Sequence, residues 1–263
     1  MTAESHPLDV VSPAHIARLV EEVAVRKARM AFLQVFALAV LAGAFIALGA
    51  VFYVVTISGS ELGFGPTRLL GGLAFSLGLV LVIIGGAELF TGNSLIVLAR
   101  ADRKITTAQL LRNWGIVYFG NLVGALGTAA LVHLSGILAV GEIAETATGI
   151  AQAKMALPLG QAFFRGILCN VLVCLAVWMC FAAHSVSGKV AVIIFPITAF
   201  VALGFEHSVA NMSMMPMGML AAGEADLVGF LQNLLVVTVG NIVGGGVLVA
   251  LVYWVIYLRK PAG

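Results

Sequence analysis

The sequence predicts an all-α membrane protein with six transmembrane helices, arranged as an inverted repeat of three plus three. Three observations predict this class: the composition, six long apolar segments, and polar motifs that recur about 120 residues apart. Of the 263 residues, 61% are hydrophobic and 10% are charged, whereas a soluble domain is about 45–50% apolar and about 25% charged. The mean hydropathy of +1.10 therefore indicates a chain that crosses a membrane several times.

Each apolar segment exceeds the roughly 20 residues that a helix needs to cross the hydrocarbon core. The segments cover residues 31–57, 69–99, 113–141, 158–183, 190–220 and 227–258. A β-barrel would show short alternating segments instead. The first 30 residues carry charges throughout and lack a cleavable signal sequence, so we expect the first span to act as the insertion signal.

The basic residues fall mainly on one side of these spans. That side holds Arg18, Arg26, Lys27, Arg29, Arg100, Arg103, Lys104, Arg112, Lys189, Arg259 and Lys260. The other side holds Arg68, Lys154 and Arg165. The positive-inside rule therefore places both termini in the cytoplasm. We expect a cytoplasmic N-terminal helix within residues 1–30, a six-helix transmembrane domain at 31–258 and a short cytoplasmic tail at 259–263.

Two pairs of motifs recur along the chain. "GAELFTGN" (86–93) and "GFEHSVAN" (204–211) both read Gly-x-Glu-x-x-x-x-Asn, and they are followed by "GNLVG" (120–124) and "GNIVGGG" (240–246). The recurrence divides the spans into repeats at about 31–141 and 158–258. Because each repeat holds three spans, the two repeats enter the membrane from opposite sides.

The segments 69–99 and 190–220 are too long for simple spans. A straight helix of either length would extend about 46 Å, against a hydrocarbon core of about 30 Å. Both segments carry Gly, Glu and Asn near the middle, so we expect both helices to break at mid-membrane. Glu88 and Glu206 are expected to accept hydrogen bonds from the freed backbone N–H groups. The N-terminal ends of the half-helices would favour an anion.

Three polar residues are candidates for the substrate pathway. His207 lies on the second break, where it could exchange a proton with an anion; the alternative is a structural histidine that only makes hydrogen bonds. Lys154 precedes the fourth span on the external side, and could equally be a solvated surface lysine. Asn170, within the fourth span, could equally clamp two helices together. The sequence shows no metal-ligand, nucleophile, phosphate-loop or redox motif, and no nucleic-acid surface, so neither a cofactor nor an enzymatic activity is expected.

Residues 12–30 are typical of an amphipathic helix. A Ser-Pro pair begins it, and Ile16, Leu19, Val20 and Val23 share one face. We expect this helix to lie on the cytoplasmic surface as an anchor.

The quoted motifs, together with "AKMALP" (153–158) and "YWVIYLR" (253–259), resemble the formate/nitrite transporter family along nearly the whole chain. The C-terminal motifs are most similar to those of the bacterial formate channels. The "TGN" that follows Phe90 is similar instead to nitrite and hydrosulfide members of the family. Nitrite, hydrosulfide and acetate therefore stay open beside formate as substrates.

The resemblance implies an aquaporin-like fold and a homopentamer in the bacterial inner membrane, with one pore in each protomer. It implies that His207 faces Thr91 and protonates the anion, that Lys154 lies in the external vestibule, and that Asn170 lies near the pore. It also implies two apolar constrictions, an outer one of Phe75, Phe200 and Val173 and an inner one of Leu79, Leu89 and Phe90. A deletion of the N-terminal helix would test the pH-sensitive lid that the family suggests.

Three other classes compete with this interpretation. A water or glycerol channel of similar architecture would carry Asn-Pro-Ala at both half-helix starts, where this chain reads "TGN" and "VAN". A membrane-embedded enzyme would need a metal or cofactor constellation. A cation channel would need an acidic ring.

Overall fold

The computed structural model describes residues 11–259, and all regular structure in this range is helical. The first ten residues and residues 260–263, which include most of the expected tail, lie outside the described range. The α-helices are α1 (Pro13–Arg29), α2 (Phe32–Ile57), α3 (Phe64–Gly85), α4 (Val97–Ala101), α5 (Thr107–Leu134), α6 (Ile143–Met155), α7 (Leu159–Cys180), α8 (Val186–Ala202), α9 (Ser208–Ala222), α10 (Leu227–Ile242) and α11 (Val252–Tyr257).

Five helices in the described range are long and apolar enough to cross a membrane. They are α2, α3, α5, α7 and the continuous stretch Leu227–Tyr257, in which a π-helical segment (Val243–Leu251) joins α10 to α11. Helix α8 is apolar but has only 17 residues. Large apolar side chains such as Phe195, Leu131 and Phe164 are more than half exposed on the outer faces of the bundle. Such surfaces fit an apolar surrounding, so the chain is a membrane protein.

Neither of the apolar segments 69–99 and 190–220 is a continuous helix. Helix α3 ends at Gly85, Gly86 adopts a left-handed conformation (φ 75°), and helical structure resumes with a 3₁₀ turn at Gly92–Ile96. Helix α8 ends at Ala202, Gly204 is left-handed (φ 71°), and α9 begins at Ser208. Glycine adopts this conformation without the steric cost that a Cβ would add. The quoted Gly-x-Glu motifs therefore coincide with the two interruptions.

The Gly-Asn motifs bring neighbouring helices into close contact. A methyl group at Gly124 would lie 1.9 Å from the Val40 carbonyl oxygen, so α5 and α2 pack backbone to backbone there. A methyl group at Gly244 would lie 2.2 Å from the Ile167 carbonyl oxygen, so the π-helical segment packs on α7 in the same way. Small residues permit this approach, which van der Waals contacts and interhelical hydrogen bonds then stabilise.

Two short helices flank the long ones. Helix α1 is capped by Ser12, whose side chain accepts a hydrogen bond from the His15 N–H. It packs against the 3₁₀ turn, α4, α5 and α11. Its buried face includes Glu21, whose carboxylate pairs with Lys104. Helix α6 was not predicted, because its 13 residues are too few and too polar to stand out as an apolar segment.

Candidate functional site

A partly buried ion pair lies next to the second interruption. Lys154, in the last turn of α6, places its Nζ 2.9 Å from Oε1 of Glu206. The side-chain amide of Asn211 donates to Oε2 of the same carboxylate (2.6 Å) and to Oδ1 of Asn233 (2.7 Å). Asn233 donates in turn to the backbone carbonyl of Lys154 (2.9 Å). These four residues, which we call the Lys154 cluster, satisfy both oxygens of a carboxylate that is 4% exposed.

A second cluster repeats these four bonds at the first interruption, where Lys27 Nζ also donates to Oδ1 of Asn93 (2.9 Å), a bond without a counterpart in the Lys154 cluster. Lys27 Nζ lies 2.9 Å from Glu88 Oε1, and Asn93 donates to Glu88 Oε2 (2.8 Å) and to Asn113 (3.0 Å). Asn113 donates to the Lys27 carbonyl (3.1 Å). Sequence reasoning missed Lys27, Asn113 and their counterpart Asn233. The 120-residue spacing of the two asparagines could have revealed them, whereas Lys27 could be matched to Lys154 only once α6 was known to be a helix.

The freed backbone N–H groups have a different acceptor from the one expected. The carboxylates of Glu88 and Glu206 bind Lys and Asn side chains, so our prediction that they accept from the backbone was wrong. The asparagines of the Gly-Asn motifs take that role. Asn121 accepts from the Phe90 N–H (2.9 Å) and Asn241 accepts from the Ser208 N–H (2.9 Å). Asn121 also donates to the Glu88 carbonyl, and Asn241 donates to the Glu206 carbonyl. Each asparagine therefore binds one backbone donor and one backbone acceptor of its interruption.

The two interruptions meet at Thr91 and His207. The Thr91 hydroxyl lies 3.0 Å from Nε2 of His207. His207 is the N-cap of α9, and its Nδ1 accepts a hydrogen bond from the Ala210 N–H (3.1 Å). A ring nitrogen that accepts from a backbone N–H carries no proton, so the neutral imidazole holds its proton on Nε2. That N–H, with the Thr91 hydroxyl, forms a polar pair between segments 116 residues apart.

Asn170 makes hydrogen bonds to the backbone next to this pair. Its amide nitrogen lies 3.2 Å from the Thr91 carbonyl, 3.1 Å from the Ser94 hydroxyl and 2.6 Å from the Asn241 carbonyl. Asn170 is fully buried and fixes the backbone of Thr91; it makes no hydrogen bond to His207. Gly245 of the π-helical segment leaves the space that this amide occupies, because a methyl group there would lie 2.4 Å from its nitrogen.

A cavity of about 190 Å³ connects the Lys154 cluster to His207. Phe75 and Phe200, two of the residues expected to form the outer constriction, lie in its wall. The Phe200 ring stacks on the His207 ring, with centroids 5.8 Å apart, and meets Phe75 edge-on at 5.5 Å. We call this space the Lys154 vestibule.

A second cavity of about 200 Å³ lies beside Lys27, and Lys189 and Asn93 also line it. We call it the Lys27 vestibule. The remaining residues expected at the constrictions, Val173, Leu79, Leu89 and Phe90, are buried but line neither cavity. The Phe90 ring packs edge-on against Tyr118 (5.0 Å) and Trp114 (6.0 Å) on α5.

Charged groups also hold α1 in place beside the Lys27 vestibule. Burial raises the pKa of Glu21, which pairs with Lys104. The hydrogen bond with Glu21 raises the pKa of Lys104. Although burial opposes it, the pKa of Asp102 is lowered, since the Trp254 indole N–H donates to the carboxylate (3.1 Å) and Lys104 lies 3.6 Å away. Within residues 11–259, no group of three or more His, Cys, Asp and Glu side chains is placed to hold a metal ion.

Comparison with known proteins gives a consistent result. The model of the formate/nitrite transporter family matches residues 14–255. The formate channel FocA of Escherichia coli is 44% identical over 277 residues, which cover 97% of this chain and 97% of that protein. FocA of Haemophilus influenzae is 41% identical over 271 residues, covering 94% and 95%. A solved pentameric formate channel with formate bound superposes with a TM-score of 0.80 at 43% identity, covering 87% of this chain and 98% of its own. An ion channel described as a member of the FNT family superposes with a TM-score of 0.83 at 32% identity, covering 92% and 98%.

Proposed function

Because the chain belongs to the formate/nitrite transporter family, we propose that it is a formate channel that assembles as a homopentamer, with one pore in each protomer. The similarity to a pentameric channel solved with formate bound supports both parts of this proposal. The family consists of transporters, which agrees with the expectation that the chain is not an enzyme. We place it in the bacterial inner membrane.

We further propose that each protomer has six spans in two inverted repeats. Helices α3 and α4 would form one span and α8 and α9 another, each broken at mid-membrane. Two observations support this arrangement: the four bonds that the Lys27 and Lys154 clusters share, and the equivalent roles of Asn121 and Asn241. They also extend the repeats beyond 31–141 and 158–258, because α1 and α6 supply the equivalent lysines.

The charge distribution supports an orientation with both termini in the cytoplasm. The Lys27 vestibule then faces the cytoplasm, and the Lys154 vestibule faces outward. Helix α1 lies on the cytoplasmic face, and residues 259–263 form the cytoplasmic tail. In this orientation Lys154 is the external lysine, although its charge is already balanced by Glu206.

The mechanism follows from the hydrogen bond between Thr91 and His207, which is the observation that carries the proposal. A carboxylate that leaves water for an apolar constriction loses several kcal/mol of solvation and gains a proton instead. We propose that the anion reaches Nε2–H of His207 and the Thr91 hydroxyl from the Lys154 vestibule, gains a proton there, and crosses the apolar wall as the neutral acid. Asn170 keeps Thr91 in position.

The contacts of the imidazole favour solvent as the source of the proton. The proton on Nε2 can be given away only if the ring gains another on Nδ1, and Nδ1 is occupied by the Ala210 N–H. The imidazolium is therefore a transient state, which the negative charge of an arriving anion stabilises. For His207 to relay a proton, Nδ1 must release the Ala210 N–H and take up a proton from solvent. The imidazolium then gives its Nε2 proton to the anion, which leaves a neutral ring protonated on Nδ1. The starting tautomer returns when Nε2 regains a proton and Nδ1 gives its own back to solvent.

A flux panel in proteoliposomes tests the proposed function. Formate, nitrite, acetate and hydrosulfide are supplied at two pH values to the wild type and to His207→Phe. We expect formate to be fastest, with uptake that rises on acidification and depends on His207. Formate flux through His207→Phe with the wild-type pH dependence would contradict the relay. A faster flux of nitrite or hydrosulfide would favour the substrates that "TGN" suggests.

A further inference from the structure

Three cations line the Lys154 vestibule, and only one of them is neutralised. Lys154 is paired with Glu206 at 2.9 Å. Arg68 and Arg165 line the same cavity, and neither forms an ion pair with any carboxylate in residues 11–259. The positive potential of this vestibule therefore comes from the two guanidinium groups rather than from Lys154.

Both guanidinium groups have hydrogen-bond donors to spare. Nε of Arg68 is buried and has no partner in the described part of the chain; the group otherwise lies over the Phe64 ring, 5.2 Å from its centroid. Arg165 Nη1 makes one long hydrogen bond, 3.4 Å, to the Gly204 carbonyl. A guanidinium carries five N–H donors, and leaving a buried donor unpaired is unfavourable. Most of these donors remain available to a ligand in the cavity.

The two arginines flank the segment that leads to His207. A methyl group at Gly204 would lie 3.1 Å from Arg68 Nη2 and 3.9 Å from Arg165 Nη1. The Arg165 carbonyl also accepts the Glu206 N–H at 3.3 Å, which fixes the start of this side chain relative to the interruption. An anion held by both groups would therefore lie on the approach to Thr91 and His207.

The Lys27 side lacks the Arg165 charge. There the Glu88 N–H donates to the Leu38 carbonyl at 3.1 Å, so Leu38 takes the place of Arg165. A methyl group at Gly86 would meet nothing within 4 Å, whereas its counterpart Gly204 is covered by both arginines. The two clusters share four bonds, but the two vestibules differ in charge: within residues 11–259 the Lys27 vestibule has one cation outside an ion pair, Lys189, and the Lys154 vestibule has two, Arg68 and Arg165.

We propose that Arg68 and Arg165 form an anion-capture site that binds a small monocarboxylate in the Lys154 vestibule before it reaches the Thr91–His207 pair. This inference deepens the proposed function and rests on it. Guanidinium groups bind carboxylates through paired, directional hydrogen bonds. The site makes binding asymmetric, so that formate entering from the Lys154 side has a lower KM than formate entering from the Lys27 side.

Flux kinetics with oriented proteoliposomes test the site by substitution. Arg68→Gln combined with Arg165→Leu, which installs the residue found at position 38, should raise the KM from the Lys154 side about tenfold at low ionic strength. The maximal rate and the KM from the other side should stay within about twofold of the wild-type values. Charge steering changes how often formate meets the protein on the Lys154 side and leaves the later steps unchanged. Arg165→Lys should restore most of the affinity. Arg103→Gln, which removes an exposed charge on the opposite side, is the matched control. An unchanged KM in the double variant would overturn the proposal.

Chemical labelling tests the site without relying on transport. Purified wild-type protein is treated with phenylglyoxal, which modifies arginine, and labelling is quantified for each peptide by mass spectrometry. We expect formate to slow labelling of Arg68 and Arg165 several-fold and to leave Arg103 unaffected. Protection without formate flux would support the capture site and contradict the proposed function. Formate flux without protection would contradict the capture site alone.

Discussion

Asn241 offers the most direct test of how the second interruption is held together. Its side chain is fully buried and makes three hydrogen bonds. It accepts from the Ser208 N–H at 2.9 Å and donates to the carbonyls of Gly166 (2.8 Å) and Glu206 (3.0 Å). Asn241→Ala would leave the Ser208 N–H and the Glu206 carbonyl without this partner at membrane depth, whereas the Gly166 carbonyl lies within α7 and keeps its helical partner. The interruption would then lose the contact that ties α9 to α7 and α10.

The expected loss of stability lies between two limits. An interhelical hydrogen bond in a membrane protein contributes about 0.6 kcal/mol on average, which gives about 2 kcal/mol for three. A buried group left unsatisfied costs roughly 1–3 kcal/mol, which gives a considerably larger figure. We expect a loss of about 2–5 kcal/mol, and therefore a fall in Tm on the order of 10 °C. Formate flux should fall too, because Ser208 directly follows His207.

Thermal unfolding of the purified protein, followed by size-exclusion chromatography after heating, measures this loss. Thr128→Val is the matched control, because within residues 11–259 the Thr128 hydroxyl bonds only to the Gly124 carbonyl, one turn earlier in its own helix. That carbonyl keeps its helical partner, so we expect a change of less than about 0.5 kcal/mol. A Tm for Asn241→Ala within about 2 °C of the wild type would refute the role assigned to the Gly-Asn motif.

Three further predictions concern packing, the ion pair and α1. Gly245→Ala should abolish flux, because its methyl group would lie 2.4 Å from the Asn170 amide. Gly127→Ala, whose methyl group would meet no described atom within 4 Å, should leave flux and folding intact. Transport assays on both variants test this, and an active Gly245→Ala would contradict it. Lys154→Met should destabilise the protein by about 3–5 kcal/mol, because it leaves the buried Glu206 carboxylate without its cation. Adding Glu206→Gln to this variant should recover most of the loss. Equal stability of the single and double variants would contradict the pairing. Burial raises the pKa of Glu21, so Glu21 takes up a proton when α1 docks. The stability that this adds is fully present below the ordinary pKa of a glutamate. It is lost as the pH rises through the raised pKa. Hydrogen exchange of α1, corrected for intrinsic rates, should therefore slow on acidification from pH 7 to 5, and Glu21→Gln should remove this dependence; an unchanged dependence in the variant would exclude Glu21.

The sequence was most informative where polar residues interrupt apolar runs. In an apolar background, Glu88 and Glu206 mark the interruptions without ambiguity, and their spacing leads to Thr91 and His207. Partners that are distant in the chain left no such signal. Lys27 looked like one basic residue among many on a surface helix, because α6, which carries the matching Lys154, is too short and polar to be recognised from hydropathy.

The direction in which a side chain points was the other property that the sequence could not predict. The apolar residues Phe75 and Phe90 cannot be distinguished by composition, yet one lines the Lys154 vestibule and the other packs on Tyr118. Arg68 and Arg165 were expected as ordinary external charges. Only the structure shows that the two arginines line one cavity. Only the pairing of Lys154 with Glu206 shows that the net positive charge of this cavity comes from the arginines.

The central claim is that the substrate crosses the apolar wall as a neutral acid. Formate uptake into proteoliposomes, with the membrane potential clamped at 0 and at −100 mV, tests it directly. A bare anion that crosses the whole field would feel about 2.3 kcal/mol, equivalent to roughly a 50-fold change in its distribution. We predict that the uptake rate is the same at both potentials and increases when the pH is lowered. An uptake rate that follows the potential and ignores pH would contradict the account.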